Sequence, residues 1–111
     1  MCGSGAHFAK LALAHGHDVF SIEHQPKPND SARLLGIKDQ ITWAYGDITN
    51  SRFLSHIIAD WELQAVVHFA ALPLVRVSTS VPEAIWNVNC LGTVALLEAI
   101  RLVSKKIHFL Y

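Results

Sequence analysis

The order of hydrophobic and polar segments along the chain predicts that helices and strands alternate. Apolar residues recur at helical spacing over 8–15, and Gly16 ends this predicted helix. The stretch 23–30, which contains two prolines, is predicted to be irregular, and 31–35 has room for about one helical turn closed by Gly36. Short apolar or β-branched runs of strand length occur at 18–22, 41–45, 65–69 and 107–111.

Two longer helices are predicted in the second half of the chain. Thr49 or Asn50 is a suitable N-cap for a helix that continues through Asp60. Pro82 suits the first turn of the last helix, which is predicted to extend to about Val103. The apolar positions of this last helix are predicted to face inward: Ile85, Val88, Cys90, Leu91, Val94, Leu97 and Ile100.

Strands that alternate with helices in this way imply right-handed crossovers and a parallel sheet. The predicted fold class is therefore α/β. The order of elements begins with a helix, whereas a nucleotide-binding α/β domain begins with a strand. We therefore expect residues 1–111 to form one domain whose first strand is absent, with no second domain.

Composition and charge exclude several classes of function. Half of the chain is hydrophobic (51%), and nine basic side chains balance nine acidic ones without a basic run, so we expect no nucleic-acid partner. The seven histidines are scattered singly, and we predict no metal site. Cys2 and Cys90 are lone thiols, no apolar run approaches the roughly 18 residues that span a bilayer, and the first residues do not resemble a signal peptide. We expect a cytoplasmic protein without a membrane partner.

The most informative segment begins with the strand at 65–69 and continues through the loop 70–82 into the last helix. The strand ends in two small residues, a polar loop follows, and a proline opens the helix. A parallel sheet presents a ligand-facing loop at the carboxyl end of a strand in this way. His68 lies inside the apolar run, and we interpret it as a buried, hydrogen-bonded histidine rather than a catalytic one.

The run from His68 to Ala99 resembles the fourth strand, loop and helix of the extended short-chain dehydrogenase/reductase family, the NAD-dependent epimerases and dehydratases of nucleotide sugars. The sequence at 73–76 is Pro-Leu-Val-Arg, as in CDP-glucose 4,6-dehydratases, and the spacing from Val77-Ser78 to Pro82 fits GDP-mannose 4,6-dehydratases equally well. The sequence Asn-Cys-Leu-Gly-Thr at 89–93 is similar to the family's Asn-Val-x-Gly-Thr. The resemblance implies a Rossmann-like doubly wound parallel sheet that is truncated here, with the first strand and the C-terminal half absent.

The resemblance also implies an NAD(P) site at the start of the chain. The third glycine of the family's Gly-x-x-Gly-x-x-Gly phosphate loop falls on Gly5, Gly3 lies nearby, and the middle position is Cys2. A pyrophosphate would then rest on amides at the N-terminus of the first helix. The alternative is a glycine-rich chain start that holds no ligand.

Two acidic residues are candidates for contact with the adenosine. Glu23 ends the second strand of the family order, where an acid accepts hydrogen bonds from the ribose and repels a 2′-phosphate, so NAD is expected in preference to NADP. Glu23 as a solvated loop acid is the alternative. The resemblance of 46–48 to the family's Gly-Asp-Ile/Leu implies that Asp47 and Ile48 bind the adenine, whereas Asp47 in a turn or helix cap is the alternative.

The loop 70–82 supplies further candidates. Ala70 and Ala71 are small enough for the backbone to approach the cofactor ribose. Leu72 stands where these dehydratases often carry glutamine, so we expect this chain to lack the polar contact that a glutamine would make. We expect Arg76 either to contact a phosphate or ring substituent of the substrate or to lie on the surface. For Ser78 and Thr79 the alternatives are hydrogen bonds to the sugar, or capping and turning of the backbone. The substrate-binding candidates are Arg76, Ser78 and Thr79.

Two residues of the last helix have specific expectations. An amide inside an apolar helix face needs polar partners. The resemblance implies that Asn89 binds backbone near the active site, beside the cofactor, and supports a proton-relay water. Gly92 lowers helix propensity, which predicts close packing against a neighbour.

We expect no catalytic residue in this chain. The family uses a serine or threonine after strand five and a Tyr-x-x-x-Lys pair, but Tyr111 lies within the last predicted strand and Tyr45 is followed four residues later by Thr49. The chain is thus predicted to be an inactive NAD-binding fragment of a nucleotide-sugar 4,6-dehydratase (a lyase) or epimerase. Its complete parent would act on a nucleotide sugar, with a homo-oligomer possible. The alternative is a non-catalytic α/β binding or interaction module.

Overall fold

The computed structural model describes residues 1–28, 30–69, 83, 86–103 and 105–111. It divides the chain into two compact units, Met1–Gly46 and Asp47–Tyr111. Within the described residues, each unit contains helices and one pair of parallel strands, so the predicted α/β class is confirmed in both. The organisation of residues 1–111 as one domain stays a prediction.

The first unit follows the predicted order of elements closely. Its two strands pair in parallel, with Val19 opposite Ile41 and Glu23 opposite Tyr45. The short 3-10 turn had no signal in the sequence. The elements are α1 (Gly3–Ala14), β1 (Val19–Glu23), α2 (Ser31–Leu34), the 3-10 turn (Lys38–Gln40) and β2 (Ile41–Tyr45).

Two glycines end the helices of the first unit, as predicted. Gly16 has a φ of +82° and Gly36 a φ of +71°, a left-handed conformation that glycine adopts without steric cost. After α1, the Gly16 amide donates to the Leu13 carbonyl at 3.0 Å and the His17 amide to the Ala12 carbonyl at 3.1 Å. This Schellman arrangement satisfies carbonyls that the helix end would otherwise leave unpaired.

The second unit begins with a well-capped helix. Asn50 Oδ1 accepts from the Phe53 amide at 3.1 Å, which confirms one of the two predicted N-caps. Strands β3 and β4 pair in parallel, with Ala65 opposite His108 and Val67 opposite Leu110. The elements are α3 (Ser51–Asp60), β3 (Ala65–Val67), a π-helical turn (Asn87–Leu91), α4 (Gly92–Val103) and β4 (His108–Leu110).

The inner face of α4 differs from the prediction. Leu91, Val94 and Leu97 were expected to face inward but are 42%, 56% and 46% exposed. For these three residues the prediction is wrong because the predicted positions recur every three residues, whereas an α-helix repeats every 3.6 residues, so the set moves off the buried face. Val88, Cys90 and Ile100 are partly buried. Ile85 lies outside the described residues. The residues that α4 buries are Gly92, Ala95, Leu96 and Ala99.

Helix α1 also buries small residues and leaves larger ones exposed. Gly5, Ala6 and Ala9 are buried, while Phe8 and Leu11 are 43% and 58% exposed. A face of small side chains lets the helix backbone come close to whatever it packs against. Among the described residues, no helix is both long and apolar enough to cross a membrane.

The buried side chains of α3 are expected to dominate the stability of the second unit. Leu54 is 1% exposed, and Leu54→Ala should lower the free energy of unfolding by about 2–5 kcal/mol because it leaves a cavity. Leu102 of α4 is 51% exposed, so Leu102→Ala is the matched control and should cost less than about 1 kcal/mol. Urea denaturation measures both, and equal losses would contradict this account of the core.

Candidate functional site

The start of α1 carries the predicted phosphate-binding residues. Cys2 caps the helix: its Sγ accepts from the Gly5 amide at 3.3 Å, and its carbonyl accepts from the Ala6 amide at 2.9 Å. Gly5 is buried, and a Cβ added at Gly3 would meet no atom within 4 Å. The helix N-terminus therefore offers amides to an anion, although a thiol holds the Gly5 amide in this structure.

Glu23 lies beside the start of α1. Its Oε1 accepts from the Met1 amino group at 2.7 Å, and its side chain is 19% exposed. Its backbone carbonyl accepts from the Gly46 amide at 2.9 Å, which holds the carboxyl end of β1 against the residue after β2. The structure thus places the carboxylate at the end of β1 beside the residue that leads into α1, two features that the sequence predicted separately.

Asp47 shapes the turn before α3. Its Oδ1 accepts from both the amide and the hydroxyl of Thr49, each at 2.8 Å, and its carbonyl accepts from the Asn50 amide at 3.1 Å. This is the turn geometry that the sequence left open as one of two roles. The role of Asp47 at the adenine stays a prediction.

Ile48 packs on the backbone of Gly92. A Cβ added at Gly92 would lie 2.8 Å from Ile48 Cδ1 and 3.2 Å from Ile48 Cγ1, so the methyl group of alanine does not fit without a shift. The predicted close packing at Gly92 is confirmed, and its neighbour is Ile48. The sequence contained no signal for this pair, because the two residues lie far apart along the chain.

Asn89 lies in the π turn that precedes α4. The Gly92 amide donates to the Asn87 carbonyl, five residues back instead of four. Such turns are rare and occur frequently at functional sites. The π turn was not predicted from the sequence, in which the available signal is a cluster of residues with low helix propensity: Asn87, Asn89, Gly92 and Thr93.

His68 joins the end of β3 to this turn through hydrogen bonds. Its Nε2 lies 2.9 Å from Thr93 Oγ1, and the Thr93 hydroxyl donates to the Asn89 carbonyl at 3.1 Å. The His68 amide donates to the Leu110 carbonyl at 2.9 Å. The side chain is partly buried, and this burial lowers the pKa of His68 below its ordinary value of 6.5 because the charged imidazolium loses solvation. The interpretation of His68 as a hydrogen-bonded histidine is confirmed.

The remaining candidates lie outside the described residues. They are Ala70, Ala71, Arg76, Ser78 and Thr79, and their roles stay predictions. Within the part of the chain that the structure describes, no group of three or more histidine, cysteine, aspartate or glutamate side chains is placed to hold a metal ion.

Comparisons with known proteins identify relatives of the chain. Residues 4–111 match the family model described as GDP-mannose 4,6 dehydratase. The chain is 30% identical over 107 residues to the UDP-glucose 4-epimerase of Klebsiella pneumoniae, which covers 92% of this chain and 76% of that protein. It is 32% identical over 106 residues to the dTDP-glucose 4,6-dehydratase of Mycolicibacterium smegmatis, which covers 94% of this chain and 31% of that protein.

The fold is also similar to that of solved enzymes. The crystal structure of the UDP-glucose 4-epimerase from Brucella ovis in complex with NAD superimposes with a TM-score of 0.76 at 29% identity, over 89% of this chain and 29% of that chain. The predicted Rossmann-like fold is confirmed. The chain matches the N-terminal NAD-binding region of nucleotide-sugar dehydratases and epimerases, and it spans under a third of the length of the dehydratase and the solved epimerase.

The contact between Ile48 and Gly92 is expected to appear as an energetic coupling. Gly92→Ala gains about 1 kcal/mol of helix propensity but places a methyl group against Ile48 Cδ1, so alone it should be neutral or destabilising. Ile48→Val removes Cδ1 and leaves Cγ1 at 3.2 Å, so in that background Gly92→Ala should be less destabilising than in the native chain. Urea denaturation of the four proteins should give a coupling of about 0.5–3 kcal/mol, whereas additive effects would contradict the contact.

His68 is expected to make stability depend on pH. Because its pKa is lowered in the folded chain, the unfolded chain takes up a proton first as the pH falls through about 6.5, and folding loses stability until the pH reaches the lower folded pKa. His68→Gln should remove this loss, so the stability difference between the native chain and the variant should shrink from pH 7.5 to pH 5.5. His56 is exposed, and His56→Gln is the control. Urea denaturation across this range measures the effect, and a constant difference for His68→Gln would contradict it.

Proposed function

The chain belongs to the GDP-mannose 4,6-dehydratase family, and we propose that it is the NAD-binding part of an enzyme that epimerises or dehydrates a nucleotide sugar. The observation that carries the proposal is the position of Glu23 beside the N-terminus of α1, since these two features hold the ribose and the pyrophosphate in dinucleotide-binding domains. The similarity to an epimerase solved with NAD supports the same assignment.

The first unit has donors and acceptors that suit a dinucleotide. The pyrophosphate would accept from the amides at Gly3 and Gly5, and the Gly5 amide would exchange a thiol, which is a weak acceptor, for a charged oxygen. The ribose hydroxyls would donate to Glu23 in place of the Met1 amino group. The carboxylate of Glu23 repels a 2′-phosphate, so NAD is favoured over NADP.

In the second unit, the proposal keeps the roles that the family resemblance implies. Asp47 and Ile48 bind the adenine, Ala70 and Ala71 pass close to the ribose, and Asn89 supports the site from the π turn. The fixed position of Ile48 on Gly92 favours this role because a residue held by packing presents its backbone in one orientation.

The substrate side of the proposal concerns the whole parent protein. Arg76, Ser78 and Thr79 bind a nucleotide sugar, and the bound NAD supplies the acceptor for a hydride from the sugar. Both reaction classes stay in the proposal, because relatives of similar identity are named as epimerases and as dehydratases. The general acid or base comes from outside this chain, which alone is inactive. The parent works in the cytoplasm, which suits the two free thiols Cys2 and Cys90, and a homo-oligomer is compatible with it.

The choice of cofactor tests the proposal directly. Titration calorimetry should show that the chain binds NAD more tightly than NADP, and Glu23→Ser should narrow this preference by about tenfold or more, because it removes repulsion of about 1–4 kcal/mol. Asp39 is exposed in the 3-10 turn of the same unit, and Asp39→Ser is the charge-matched control.

Two outcomes of this titration would contradict the proposal. Equal affinity of the native chain for NAD and NADP would remove the role of Glu23 at the ribose. A chain that is folded by circular dichroism but does not bind NAD would overturn the assignment as a cofactor-binding part.

A further inference from the structure

We propose that His68 is a positioning residue: through the Thr93 hydroxyl it holds the π turn that carries Asn89. Three contacts link the elements of the second unit in series. The amide of His68 is tied to β4, its imidazole contacts Thr93 in the first turn of α4, and Thr93 is bonded to the carbonyl of Asn89. The end of β3 is thereby connected to the π turn, in which a backbone hydrogen bond spans five residues instead of four.

The direction of these hydrogen bonds follows from the number of protons. The Asn89 carbonyl only accepts, so the single hydroxyl proton of Thr93 is used on that bond of 3.1 Å. Thr93 Oγ1 is then an acceptor toward His68, and Nε2 must carry a proton in the contact of 2.9 Å. The neutral imidazole is therefore fixed as the tautomer protonated on Nε2.

Surrounding groups hold the imidazole in place. The rings of Phe109 and Tyr111 lie against it at centroid distances of 6.3 Å and 5.7 Å, tilted by 36° and 40°. The pKa of His68 is lowered by burial, which agrees with a neutral ring that donates from one nitrogen. An imidazole held at its backbone by β4 and contacted by these two rings loses freedom of rotation, so its Nε2 is a directed donor.

The bond from Thr93 to Asn89 has a local effect on the helix. A threonine hydroxyl that bonds the carbonyl four residues earlier competes with the helix amides for that carbonyl and commonly bends the helix. Here the bond spans the junction between the π turn and α4. By holding the hydroxyl on this carbonyl, His68 favours the π turn over a regular helix and so fixes the backbone of Asn89.

The consequence for the cofactor rests on the proposed function, because only there does Asn89 support an NAD site. The positioning itself does not depend on it. The two statements can therefore be tested by different measurements on the same variants of the full chain.

The first measurement is nuclear magnetic resonance of the labelled chain. Two-bond correlations between the ring protons and nitrogens should show His68 as the Nε2–H tautomer. Thr93→Val removes both hydrogen bonds of the hydroxyl at nearly constant volume, so it should release this tautomer preference. It should also speed amide exchange in residues 89–92 by about threefold to tenfold, the effect expected from loss of the one bond to the Asn89 carbonyl. Exchange in α3 reports opening of the unit as a whole and should change less.

Matched variants separate positioning from a loss of packing. Thr93→Ser keeps the hydroxyl and should retain the tautomer and the protection of the turn. His68→Gln keeps an amide donor and should protect the turn more than His68→Phe, which keeps a ring but has no donor. An Nδ1–H tautomer in the native chain, or turn protection unchanged in Thr93→Val, would overturn the proposal.

The second measurement is the affinity of the same proteins for NAD. Thr93→Val should weaken NAD binding by about threefold to tenfold, and Thr93→Ser should restore it. If the native chain does not bind NAD, the proposed function fails, while tautomer and exchange still decide whether His68 positions the turn. If NAD binds both variants equally although the turn is loosened, the role of His68 in the cofactor site is overturned.

Discussion

The close approach of α4 to its neighbours is the constraint on which the second unit depends. Helix α4 packs against α3, and the residues that it buries are mostly without bulk: Gly92, Ala95 and Ala99 beside Leu96. At Gly92 there is no space for one methyl group, because Ile48 already fills it. Since packed interiors tolerate little change in volume, the position of Ile48 and the path of α4 are determined together. The turn that contains Asp47 and leads into α3 is thereby tied to the first residue of α4, directly after the π turn that carries Asn89.

The π turn ends at two neighbouring residues that are both held in place. Gly92, whose amide donates to the Asn87 carbonyl five residues back, packs against Ile48. Thr93 follows it directly, and its hydroxyl contacts both His68 and the Asn89 carbonyl. Helix packing and the hydrogen-bond series from His68 therefore act on the same point of the chain.

The sequence predicted those features that are decided within a few neighbouring residues. Gly16, Gly36 and Asn50 marked the ends of helices because capping depends on backbone conformation and on one local side chain. The π turn was not predicted, and the contacts on either side of its end, Gly92 with Ile48 and Thr93 with His68, join residues that are distant along the chain. In the candidate site, too, local features were predicted and distant contacts were not. The motif placed Gly5 in a helix and Glu23 at the end of a strand, as observed. The contact of Glu23 with the segment before α1 and that of His68 with Thr93 are seen only in the folded structure.

At the start of α1, Cys2 stands where the family's glycine pattern has its middle glycine, and its side chain changes how the helix begins. A glycine at the middle position of the phosphate loop lets the backbone approach the pyrophosphate, whereas Cys2 brings a side chain that caps the helix itself. The thiol satisfies the Gly5 amide only weakly, at 3.3 Å, and Cys2 is exposed, so a rotation of its side chain frees the amide. In the proposed site, a pyrophosphate would have to displace this contact before it could accept from the Gly5 amide, and the displacement would reduce the net free energy of binding. The affinity of the proposed site for a phosphate therefore depends on how weakly the Cys2 thiol holds that amide.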